Sequence, residues 1–92
     1  MTQLTSIPDE INFIDEEFLN STKFVEESKN LYSKLIGKDL DQNDLKFHIE
    51  YKPDWNSELG QCYEFRYGDT ILLLAYCIDK ADFISVLKTF NV

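Results

Sequence analysis

Nothing in the chain is apolar for long enough to cross a bilayer: the longest such run is eight residues, Ile71 to Ile78, where a helical span needs about 20. Glycine and proline are scarce, three and two in 92 residues, so there is no flexible linker, no collagen-like tract and no internal repeat. Gly37, Gly60 and Gly68 are taken up by a helix end and two turns, which leaves no glycine-rich loop for a phosphate. Two cysteines, Cys62 and Cys77, are too few for a disulfide framework and have no CxxC spacing for a metal site. Bases are outnumbered, nine against seventeen acids, for a net charge of -8. Phosphate backbones and anionic lipid repel such a chain, so nucleic acid and membranes are excluded as direct partners and a basic protein surface is favoured. The first six residues lack the basic and apolar regions of a secretory signal, which sets a cytoplasmic expectation.

At 43% hydrophobic and 14% aromatic the chain is too apolar for an acidic disordered tail and should form one compact domain over residues 1–92. Ser6-Ile7-Pro8-Asp9 resembles a helix start, giving an N-terminal arm or short helix over 1–14. From Asp15, the residues Phe18, Val25, Tyr32 and Ile36 recur at helical spacing and Gly37 follows as a C-terminal glycine, so a helix is expected over 15–36, with Ser21-Thr22 a point where it could break.

The period then changes from 3.6 to 2. Phe47, Ile49 and Tyr51 alternate with polar residues over 46–51, and Tyr63, Phe65 and Tyr67 do so over 61–67. Gly68-Asp69 is a two-residue hairpin turn into a third strand over 70–78. An unbroken register from that turn places Leu72, Leu74 and Tyr76 with the aromatic face in the core. Asp79 caps a final helix over 79–91, with Phe83, Val86, Leu87 and Phe90 on one stripe. The expected fold is α+β, in the order α-β-β-β-α, a three-stranded antiparallel meander with the helices packed on one face. Double-stranded RNA-binding domains share that order. Where that function needs a basic cluster, this chain has Asp79-Lys80-Ala81-Asp82.

The third strand is an edge strand in this meander, yet its second face, Ile71, Leu73, Ala75 and Cys77, is as apolar as its first. It calls for a cover: the arm around Ile7 to Ile14, the same strand of a second subunit in a homodimer, or another protein.

Among chemistry-bearing residues, His48 lies near Glu50, with Glu64 or Arg66 within reach, and the regular register puts Cys62 opposite Ala75 and diagonal to Cys77, about 7 Å away. A lone strand histidine and two such thiols make no nucleophile, base and ligand constellation, so no catalytic residue, metal or cofactor is expected and the protein is read as non-enzymatic. The loop Lys52 to Gly60 carries Trp55, with Asp54 and Glu58 as an acidic rim, the composition of an interface anchor; its alternative is to cap the sheet end together with Leu59. The carboxylates Asp9, Glu10, Asp15, Glu16, Glu17, Glu26 and Glu27, opposed only by Lys23, would form a negative helical surface fit for a cationic groove. The expectation is a small acidic binding protein that docks on a basic protein and inhibits a nucleic-acid-processing enzyme, a physique shared by immunity proteins and phage anti-defence proteins. The alternative is a homo-oligomeric adaptor pairing through the 71–77 edge.

Overall fold

The computed structural model describes residues 12–92. Their order is α1 (Glu16–Thr22), β1 (Val25–Ser28), β2 (Leu31–Lys38), β3 (Asp44–Tyr51), a 3-10 turn (Pro53–Trp55), β4 (Gln61–Tyr67), β5 (Thr70–Cys77) and α2 (Lys80–Lys88). The strands form one antiparallel sheet in chain order, with β1 and β5 at its edges. The class is α+β as expected, but the meander has five strands, and the likeness in order to RNA-binding domains goes with the extra two. The expected arm over 1–14 lies outside the described residues up to residue 11, as do Asp9 and Glu10.

The helix expected over 15–36 ends at Thr22, and its second half is two strands. Asp15 starts α1 by accepting from the Phe18 amide at 2.9 Å. One turn on, the hydroxyls of Ser21 and Thr22 bond back to the Phe18 carbonyl at 3.2 and 2.6 Å, competing with the helix, and Lys23 closes it at φ 72°. Asn30, at φ 66°, turns β1 into β2. The intervals of seven from Phe18 to Val25 to Tyr32 matched a helical repeat by coincidence: Phe18 and Tyr32 are buried, whereas Val25 is 59% exposed. Gly37 ends no helix and sits at a bulge of β2 against β3.

The later strands and α2 stand where period 2 and Asp79 put them. Asp79 accepts from the Asp82 amide at 2.8 Å. Gly68, at φ 54°, supplies the positive φ that a type II′ turn needs at its first central position, and Tyr67 faces Thr70. The register does not run on from there. Arg66 pairs with Ile71 but Phe65 with Leu73, so Leu72 is an extra residue in a β-bulge. The slip of one reverses the faces: Leu73, Ala75 and Cys77 share the side of Phe65, Tyr63 and Gln61, and Leu74 and Tyr76 share that of Glu64 and Cys62. Leu72, Leu74 and Tyr76 therefore do not belong to the core.

Both helices pack on the aromatic face. Phe83 of α2 is fully buried, its ring 4.6 Å from Tyr63, 5.4 Å from Phe18 and 6.0 Å from Phe65, centroid to centroid. Phe90 stacks on Phe65 and tilts against Phe47, 5.3 Å from each. Phe13 and Ile14 are buried on this face too, Phe13 donating its amide to the Tyr63 hydroxyl at 2.7 Å.

Candidate functional site

Three features were expected to carry function: the acidic helical surface, the Trp55 loop and the 71–77 edge. The acids divide among α1, β1 and the 52–60 loop, because the helix expected to align Asp15 to Glu27 stops at Thr22. Asp15 and Glu17 hold Lys80 at 2.9 and 3.0 Å, and that ammonium, with the Phe18 amide, keeps the Asp15 carboxyl below its ordinary range. Glu16 is exposed on α1. On β1, Glu27 accepts from the Ser33 hydroxyl and pairs with Lys46 at 3.4 Å, while Glu26 lies opposite Tyr32.

In the loop, Trp55 and Leu59 are 51% and 66% exposed, so neither caps the sheet end. Asn56 does that work, donating to the Tyr51 hydroxyl at 2.7 Å and accepting from the Cys62 amide at 2.8 Å. Lys52 lies over the Trp55 ring at 5.6 Å. An open cleft of about 410 Å³ runs beside it, lined by Lys29, Glu50, Lys52, Asp54 and Trp55 among others. Glu58 is exposed.

His48 lies between Ser33 and Arg66 in the sheet, with its Nδ1 buried and unpartnered. Its neighbours are committed elsewhere. Ser33 gives its hydrogen to Glu27, and Arg66 bridges Glu50 at 3.3 Å and Glu64 at 2.9 Å. Cys62 pairs with Tyr76 rather than Ala75, so the two thiols fall on opposite faces. Burial pushes both up, Cys77 to about 12, which keeps them protonated. Among the described residues no three of His, Cys, Asp and Glu converge as metal ligands, and no helix is long and apolar enough to cross a membrane.

What stands out is β5. Ile71, Leu72, Leu73, Leu74, Tyr76 and Ile78 are 61%, 38%, 40%, 38%, 37% and 72% exposed. They are divided between the two faces of the sheet, Leu73 on the side of Phe65 and Leu74 and Tyr76 on that of Glu64 and Cys62. They flank a sheet edge that no strand among the described residues pairs. Of the edge residues expected from sequence, Ile71 and Leu73 are exposed, but Ala75 is partly buried against the core and Cys77 wholly within it. Leu72, Leu74, Tyr76 and Ile78 are the residues that sequence reasoning missed. The bulge exposes the first three, and no residue announces it. The other edge is the contrast: β1 has only four residues and two of them are glutamates, devices that keep an edge unpaired, while both edge strands carry a bulge. β5 has eight residues and no charge. Compared with protein-family models, curated proteins and solved structures, the chain matches none.

Proposed function

We propose that the protein is a non-enzymatic binding domain that takes a strand of another protein onto its β5 edge. The observation that supports this most is the difference between its two edges. An exposed edge offers a row of backbone donors and acceptors, and affinity comes from completing it while side chains on either face select the occupant. β1 is short and charged, whereas β5 is uncharged and no other strand among the described residues pairs its outer edge. The net charge of -8 directs the docking toward a basic target, and occlusion of a nucleic-acid-processing enzyme's cationic groove is the inhibitory form of that activity. Trp55, with Asp54 and Glu58, is a secondary anchor of the same interface class.

A second copy of the chain is the competing occupant, because an uncharged strand meets no like charge along its middle when it pairs with itself. Capture of target from host-cell extract by the wild type, Leu74→Lys and Val25→Lys tests the edge. Leu74 and Val25 are both exposed, so both variants should fold. The proposal expects Leu74→Lys to lose the captured protein and Val25→Lys to keep it; equal capture by all three refutes it.

A further inference from the structure

The two ends of β5 differ from its middle, and that difference bears on what the edge accepts. At its C-terminal end, Asp82 accepts from the Ile78 amide at 3.0 Å and Asp79 from the Asp82 amide at 2.8 Å. Beside them Asp15 and Glu17 converge on Lys80. Two of these four carboxylates hold the Lys80 ammonium and two accept from backbone amides, so the group carries four acids and one base. The N-termini of α1 and α2 each add about half a positive charge, so roughly two negative charges remain uncompensated next to Ile78. At the other end Asp69 is exposed in the hairpin turn. Arg66, opposite Ile71, bridges Glu50 and Glu64, and Lys46, whose carbonyl accepts from the Gly68 amide in the hairpin, pairs with Glu27. The edge is neutral along its length and negative at both ends.

Accepting β5 as a docking edge, we infer that its occupant is an extended segment of a different protein, uncharged and apolar over about eight residues and carrying Lys or Arg where it leaves the edge, above all beside Ile78. The length is that of β5 itself, eight residues. The basic flanks follow from charge complementarity, which raises the encounter rate and fixes register. The same charges disfavour a second copy. A two-fold pairing of β5 with itself runs antiparallel and brings Asp69 of each molecule against the end where Asp79 leaves the other, twice over, between two chains of charge -8. Like charges so placed weaken that pairing and favour a foreign basic strand.

The test uses the full-length ¹⁵N-labelled protein and two synthetic peptides, each of eight alternating valine and threonine residues, one flanked by two lysines at either end and the other by two glutamates. The lysine peptide should shift the amides of Thr70 to Ile78 and leave Val25 to Ser28 in place. It should bind at least tenfold more tightly than the glutamate peptide at low ionic strength, with the gap closing as salt screens the ends. Leu74→Lys should abolish the shifts. Equal binding of the two peptides overturns the charge selection and leaves the docking edge standing. A dimer in sedimentation whose β5 amides are protected, with neither peptide bound, names the second copy as occupant and overturns the inference alone. A monomer whose β5 amides respond to neither peptide overturns both the inference and the docking edge.

Discussion

Replacing Gly60 with alanine tests how the 52–60 loop holds the end of β5. Gly60 lies at φ +126°, and a Cβ there would stand 2.3 Å from the Cys77 carbonyl oxygen, 2.6 Å from its carbon and 3.0 Å from the Ile78 nitrogen. All three are backbone atoms, so no rotamer change can relieve the contact. The residue is further pinned by reciprocal bonds with Ser57 at 3.0 and 3.1 Å. The backbone conformation alone costs a residue with a Cβ about 1–3 kcal/mol, and forcing apart packed groups adds about 1–3 kcal/mol. Gly60→Ala should therefore lose about 2–6 kcal/mol, a large share of the roughly 5–15 kcal/mol that holds a domain together. Gly68→Ala is the control. Gly68 is also at positive φ, +54°, but a Cβ there meets nothing within 4 Å, so only the left-handed conformation is charged, about 1–2 kcal/mol. Urea titrations followed by far-UV circular dichroism give both values, and at about 4–8 °C per kcal/mol the melting temperatures should separate as well. If Gly60→Ala is no less stable than Gly68→Ala, the close approach of the loop to Cys77 is wrong.

Three further outcomes follow from the packing and the charges. Phe83→Ala removes the ring on which Phe13, Phe18, Tyr63 and Phe65 converge and should cost about 3–5 kcal/mol by chemical denaturation; a loss under 1 kcal/mol would deny that cluster its place in the core. Asp15→Asn keeps a capping side chain but loses the Lys80 pair. Because the folded state holds Asp15 below its ordinary 3.8, its ionic contribution is present above that value and disappears as pH falls through the folded pKa. The stability difference between wild type and Asp15→Asn should be full near neutral pH and vanish in acid, and a pH-independent difference refutes the pairing. Native protein treated with iodoacetamide should show neither Cys62 nor Cys77 alkylated by mass spectrometry, and both alkylated in urea, since burial raises both thiols; modification of either in the native state contradicts that burial.

The parts of the fold legible in sequence are those where one physical signal acts alone. Alternation marks 46–51 and 61–67, Gly68-Asp69 marks the hairpin, and Asp79 marks the start of α2, because in each case the local pattern and the tertiary packing agree. The first half misleads because α1 is only seven residues long and β1 behind it only four. Their buried residues, Phe18, Phe24 and Tyr32, mimic one amphipathic stripe, while the decisive events, the back-bonding hydroxyls at Ser21 and Thr22 and the left-handed Lys23 and Asn30, are single-residue choices. The exposed edge strand is half legible. An uncharged strand apolar on both faces at the rim of a sheet signals an exposed surface, but the bulge at Leu72 decides which side chains form it, and residue type does not encode that slip. The acidic surface was read as one helical face, and its described carboxylates stand instead on α1, on β1 and in the 52–60 loop.

Amide hydrogen exchange along Thr70 to Cys77, measured on the free protein and again with the lysine-flanked peptide at saturation, tests the open edge most directly. The account predicts that in the free protein protected amides, bonded to β4, alternate with fast ones facing outward, and that the fast set becomes protected in the complex. Protection of every β5 amide in the free, dilute protein would mean that the edge is already paired, and an unchanged pattern in the complex would mean that binding does not take place there; either result contradicts it.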